Sequence, residues 1–85
     1  MRVLRYQIPV GGDWSEFTLS GPIVKVASRN GVQGTVHFWA LADAGTEFTA
    51  RLRVFGTGSN VPDNTVYRGT AIAEPYVWHL FEAVS

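Results

Sequence analysis

Arg51 and Arg53 stand two residues apart in the run Phe48-Thr49-Ala50-Arg51-Leu52-Arg53-Val54, where apolar and polar residues alternate. On an extended strand that spacing sends both guanidinium groups out of one face. Six of the seven basic residues are Arg, whose planar fork takes carboxylate or phosphate oxygens two at a time. The chemistry expected of such a pair is capture of an anion, with no bond made or broken. His37 and Trp39 repeat the spacing in Thr35–Leu41, opposite Phe38 and Ala40, and an indole can stack a flat ring while an imidazole holds an anion. A hairpin between these two runs would set His37 and Trp39 beside the arginines, with the register deciding which faces coincide. The plain alternative is a solvated strand face on which Glu47 or Glu16 pairs with Arg.

The segment from Gly56 to Asn64 adds a second group of polar contacts. Thr57, Ser59 and Asn60 supply hydrogen-bonding side chains, while Gly56 and Gly58 let backbone amides turn toward an anion. No strand-to-helix transition follows, so this is neither a phosphate-binding P-loop nor a dinucleotide fingerprint. An ordinary long β-connection would also use its glycines for bends. His37 and His79 are the two histidines and there is no cysteine, so a zinc site lacks its usual donors and no metal or cofactor is expected. His79 is read as a packed histidine beside Val77 and Phe81, bonded to a neighbour. Ser15, Ser20, Ser28, Ser59 and Ser85 are nucleophiles without a nucleophile elbow or a paired base, and no catalytic residue is assigned.

These residues are positioned by short strands. Met1 to Ile8 alternates, with Leu4, Tyr6 and Ile8 on one side, and Gly11-Gly12-Asp13 turns the chain. Further strands are expected over Trp14–Leu19, Ile23–Ser28, Thr35–Leu41, the run from Phe48 to Val54, Thr65–Ala73 and Tyr76–Val84. Phe48, Ala50, Leu52 and Val54 are expected to face inward. Asn30-Gly31 is the strongest hairpin dipeptide, Asp43-Ala44-Gly45 a second turn, and Glu74-Pro75 a break. No stretch of ten residues shows a 3.6-residue period. The expectation is an all-β fold of about seven short antiparallel strands, in a compact β-sandwich or a partly open barrel, with residues 1–85 forming one domain.

With 16% charged and 46% hydrophobic residues the chain is no disordered tail. A domain this small buries only about 60–65% of its unfolded surface. Without disulfides or metal, a homo-oligomer is the expected remedy. Net charge is zero and no basic block exists, which argues against nucleic acid. No apolar run approaches the roughly 20 residues of a membrane helix, nor does the amino terminus look like a signal peptide.

Six stretches, in order, carry a resemblance over nearly the whole chain. They are Leu4-Arg5-Tyr6-Gln7-Ile8-Pro9-Val10, Gly21-Pro22-Ile23, Phe38-Trp39-Ala40-Leu41, Val54-Phe55-Gly56-Thr57-Gly58 with Val61-Pro62, Tyr67-Arg68-Gly69-Thr70, and His79-Leu80-Phe81-Glu82. The chain resembles a phage- and prophage-associated family of short single-domain proteins whose domain has no known function. Gln33-Gly34 and Asp43–Glu47 look like local departures, affecting loop shape. The resemblance implies a viral or prophage origin, a complete single-domain protein and synthesis in the host cytoplasm. It implies no activity.

Two functions are therefore expected from different classes. The first is a non-enzymatic, phage-encoded binding protein that sequesters a small anionic or nucleotide-like ligand through His37, Trp39, Arg51, Arg53, Thr57, Ser59 and Asn60. The second is a virion component, such as a capsid-decorating or assembly protein, or an inhibitor that binds a host protein.

Overall fold

The computed structural model describes residues 1–29, 34–43 and 45–84. The turn expected at Asn30-Gly31, Gln33, Ala44 of the second turn and Ser85 lie outside the described residues. Seven strands follow in order: β1 (Arg2–Pro9), β2 (Ser15–Leu19), β3 (Ile23–Ala27), β4 (Thr35–Ala42), β5 (Phe48–Gly56), β6 (Thr65–Ala73) and β7 (Tyr76–Ala83). They form two antiparallel sheets, a three-stranded β1-β4-β3 and a four-stranded β2-β5-β7-β6. Each anticipated strand is present within two residues of its expected ends, and the two open sheets make a sandwich.

The core follows from side-chain alternation. Val36, Phe38 and Ala40 on β4 face Ala50, Leu52 and Val54 on β5, and Ile8, Leu19, Ala71 and Leu80 complete a single buried cluster. Tyr6, Phe17 and Phe38 lock together inside it, Tyr6 stacked on Phe38 at 5.1 Å and Phe17 set edge-on to both. Phe48 departs from the expected inward set. It opens β5 at the sandwich margin opposite Leu19 and remains 42% exposed, because no strand continues over it.

One side of the sandwich is drawn in where β3 meets β6. A Cβ at Gly69 would lie 2.5 Å from Val26 Cγ2, so only a glycine lets the strands approach this far. The register of β6 against β7 shifts at that point, between Tyr67 and Gly69, and such a bulge sharpens the local twist. The Ser28 hydroxyl donates to the Ile72 carbonyl across the same gap.

The chain crosses from one sheet to the other between β4 and β5. The expected hairpin of these strands does not form: β4 pairs with β1 and β3, whereas β5 pairs with β2 and β7. Central strands bury both inner faces most efficiently, and β4 and β5 are the apolar centres of separate sheets. Their outward-facing residues therefore point away from each other.

Candidate functional site

The four-stranded sheet carries the richer outer face. β5 alternates Ala50, Leu52 and Val54 inward, which leaves Arg51, Arg53 and Phe55 outward. Trp14 comes over this face from the β1–β2 connection, where its backbone N–H donates to its neighbour Asp13 Oδ1 at 2.7 Å. Trp14 meets Phe55 edge-on at 6.0 Å, Phe55 meets Phe81 at 5.7 Å, and Phe81 meets Tyr67 at 5.6 Å. Four rings thus run from the β2 end across β5 and β7 to β6. The guanidinium of Arg51 sits 5.8 Å from the Trp14 ring, and that of Arg53 sits 4.9 Å from the Phe55 ring. Contacts of that kind are worth about 0.5–1 kcal/mol at exposed sites and hold a long side chain in place.

Arg53 is weakly compensated. Its nearest carboxylate is Asp13, at 4.0 Å and itself largely solvated, while its Nε is buried without a hydrogen-bond partner. Glu16 faces Arg51 in the β2–β5 register, as the plain strand-face reading expects. The closest ion pair among the described residues lies elsewhere, between Arg68 and Glu82, where Nη2 and Nε reach one oxygen at 2.8 and 2.9 Å.

A recess of about 310 Å³ opens beside Arg53. Ser59 and Asn60 line it together with Gly11, Gly12 and the edge of Trp78. The glycine-rich loop gets its shape from a turn in which Ser59 N–H donates to the Gly56 carbonyl at 3.1 Å, with Gly58 at φ +91°. Farther along, Thr65 Oγ1 donates to the Pro62 carbonyl at 2.7 Å and closes the loop onto β6. Thr57 turns away from the recess: its hydroxyl pairs with His79 Nε2 at 2.9 Å. His79 Nδ1 pairs with Thr70 Oγ1 at 3.0 Å, and that hydroxyl also meets Tyr67 OH. His79 is therefore the packed, bonded histidine that its sequence neighbours suggested, and it ties the loop to the ring row.

Larger recesses lie at the two margins between the sheets. One of about 630 Å³ is lined by Leu4, Tyr6, Thr18 and Glu47 among others. Another of about 380 Å³ is lined by Glu74, Tyr76 and Trp78, the two rings stacked at 5.5 Å. Neither contains a residue expected to bind.

His37 and Trp39 lie on the outer face of the other sheet. Trp39 is half-buried between Arg5 on β1 and Lys25 on β3, with Lys25 Nζ 5.3 Å from its ring. His37, expected on an open face, is 1% exposed, and neither ring nitrogen has a hydrogen-bond partner among the described residues. Burial lowers its pKa below the ordinary histidine value, and the charges of Arg5 and Arg29 lower it further. It is held neutral.

The seven expected binding residues thus divide. Arg53, Ser59 and Asn60 share a recess, Arg51 flanks it and Thr57 braces its loop. His37 and Trp39 are on the far side of the molecule. Sequence reasoning passed over Trp14, Phe55 and His79 as parts of this site. Phe55 had a signal, since it continues the parity of Arg51 and Arg53. Trp14 arrives from the β1–β2 connection and His79 from β7, and they had none.

The family model described as a domain of unknown function (DUF7352) matches residues 1–85, and the chain belongs to that family. No curated protein and no solved structure matches it.

Proposed function

We propose that the chain is a non-enzymatic binding protein of phage or prophage origin, which sequesters a small anionic, ring-bearing ligand of nucleotide type in the host cytoplasm. The observation that carries this reading is the convergence of Arg53, Ser59 and Asn60 on one recess beside Arg51 and the Trp14–Phe55 rings. The arginines supply forks for phosphate or carboxylate oxygens. Ser59 and Asn60 supply further polar contacts, and the half-buried Trp14 ring offers a flat surface for a base. At about 310 Å³ the recess is at the small end of ligand sites, which suits one mononucleotide-sized molecule. Capture of this kind needs no general base and gains from a homo-oligomer, which would also relieve the small core.

Native mass spectrometry after incubation with a nucleotide-rich cell extract is the test. The expected result is a discrete oligomer with a small-molecule adduct that is lost on denaturation. Arg53→Gln should weaken the adduct by about 10-fold or more, as expected for a hydrogen bond to a charged group, without altering the fold. A bare oligomer, or an adduct indifferent to Arg53, would sink the reading.

A second reading, a virion or host-protein contact, is favoured by a different surface. Val66, Tyr67 and Ile72 on the edge strand β6 are all exposed, with Tyr76 beyond them. An apolar sheet edge of that length can accept a strand from another protein. Copurification with virus particles would identify that role.

A further inference from the structure

The outer face of the three-stranded sheet carries charge of only one sign. β1, β3 and β4 contain no Asp or Glu. All seven acidic residues, Asp13, Glu16, Asp43, Glu47, Asp63, Glu74 and Glu82, lie in the other sheet or in the connections. Four of the seven basic residues, by contrast, belong to β1, β3 or the residues just after β3. The chain is neutral as a whole and polarised in detail.

Two of these cations flank one aromatic centre, and a third follows the strand beside it. Arg5 is the cross-strand partner of Trp39 on β1, and Lys25 is its partner on β3. Neighbouring strands lie about 4.8 Å apart, so the two cations flank the indole across roughly 10 Å. Arg29 follows two residues after Ala27, the cross-strand partner of His37, whose ring lies 6.5 Å from Trp39. Among the described residues, neither ion pair involves Arg5, Lys25 or Arg29. The described recesses all lie elsewhere, and this face offers a platform.

We infer that this face binds single-stranded nucleic acid, with phosphates on Arg5, Lys25 and Arg29 and an unpaired base stacked on Trp39 as the Lys25 ammonium swings from over the ring to a phosphate. An acidic peptide would use the cations and leave the indole idle. A duplex hides its base faces. A single strand engages both features, which is how stacking platforms in cationic surroundings work. The inference is independent of the recess on the opposite sheet. Whole-chain neutrality makes the binding modest and strongly dependent on salt, because the remaining surface adds no attraction of its own.

Fluorescence anisotropy with a labelled 12-nucleotide oligothymidine tests it. Three phosphate contacts give a slope of log K against log salt of about −2.1, or roughly a 20-fold loss of affinity from 50 to 200 mM. Arg5→Gln and Lys25→Gln should each reduce that slope by about 0.7. Trp39→Leu should weaken binding at least about 5-fold at constant slope, and Arg53→Gln should leave it unchanged. Circular dichroism identifies any variant that fails to fold, and the exposed Arg5 and Lys25 variants keep the test decisive if Trp39→Leu is one. Absence of binding at 50 mM salt would overturn the inference, as would a slope unaltered by Arg5→Gln and Lys25→Gln. So would polyglutamate competing equally well with Trp39 dispensable, an outcome that would assign the face to an acidic protein.

Discussion

Lowering the pH from 7.5 to 5.5 should destabilise this protein through one residue, His37. The ring is 1% exposed, both nitrogens lack partners among the described residues, and burial together with Arg5 and Arg29 holds its pKa below 6.5 in the folded state. An unfolded chain takes up the proton near pH 6.5. The folded chain does not, so the unfolded state binds more protons below that pH and stability falls. Above pH 6.5 both states are neutral and the contribution is complete. As pH drops the slope approaches about 1.4 kcal/mol per pH unit, until the folded pKa is reached and the loss levels off. The integrated loss by pH 5.5 is at most about 1.4 kcal/mol. That is an upper bound, since His37 lies on the outer face of its sheet among the exposed side chains of Arg5, Gln7 and Arg29, which can part to admit water. With an urea m-value of about 1 kcal/mol/M for a small domain, the midpoint should move down by up to about 1.4 M. His37→Phe keeps an aromatic ring and removes the two unsatisfied nitrogens. It should raise stability at pH 7.5 by about 1–3 kcal/mol and flatten the dependence down to pH 5.5. Urea titrations at both pH values, on wild type and His37→Phe, measure it. A wild-type midpoint that does not fall, or an acid loss that persists in full in His37→Phe, would refute the reasoning.

Gly69→Ala would place a Cβ 2.5 Å from Val26 Cγ2 and 2.7 Å from Val26 Cβ, so β3 and β6 must separate. Overpacking of this kind costs about 1–3 kcal/mol, seen as a fall in Tm of at least about 4 °C; an unchanged Tm would mean that the two sheets do not approach there. Thr57→Val removes the partner of His79 Nε2 while preserving shape. It should cost about 0.5–1.5 kcal/mol in urea unfolding and weaken ligand capture, because the loop that presents Ser59 and Asn60 loses its tie to β7. Full stability and full capture together would show that this hydrogen bond positions nothing.

The strands were legible because each carries its own pattern. Leu52 between Arg51 and Arg53, or Phe38 between His37 and Trp39, announces alternation without reference to any other part of the chain. Pairing was not legible, because turn residues report only that the chain reverses. They do not say whether the next strand joins the same sheet or crosses to the opposite one, and between β4 and β5 it crosses. His37 shows a second limit. Its parity puts it correctly on the outer face, but parity says nothing about whether side chains of the adjacent strands cover that face. Phe48 shows a third: its parity is that of Ala50 and Leu52, yet the pairing of β7 with β5 stops at Leu52 and Phe48 stays exposed.

The crossing between β4 and β5 also decides what kinds of ligand the molecule can hold. Two cationic and aromatic faces exist, Arg51, Arg53, Trp14 and Phe55 on one sheet, and Arg5, Lys25 and Trp39 on the other. Sheets in a sandwich stand about 10 Å apart and their outer side chains diverge, so no small molecule reaches Arg53 and Trp39 of one chain together. A ligand that contacted both would have to lie between two copies, with the four-stranded sheet of one against the three-stranded sheet of the next. Such a head-to-tail contact is heterologous and closes only if its rotation completes a ring. It would also press two cationic faces together, which only an anion between them could offset. Without that anion the repulsion between Arg51 and Arg53 on one copy and Arg5 and Lys25 on the other opposes assembly. The two proposals therefore concern separate faces, a recess for one small molecule and a flat platform for an extended one.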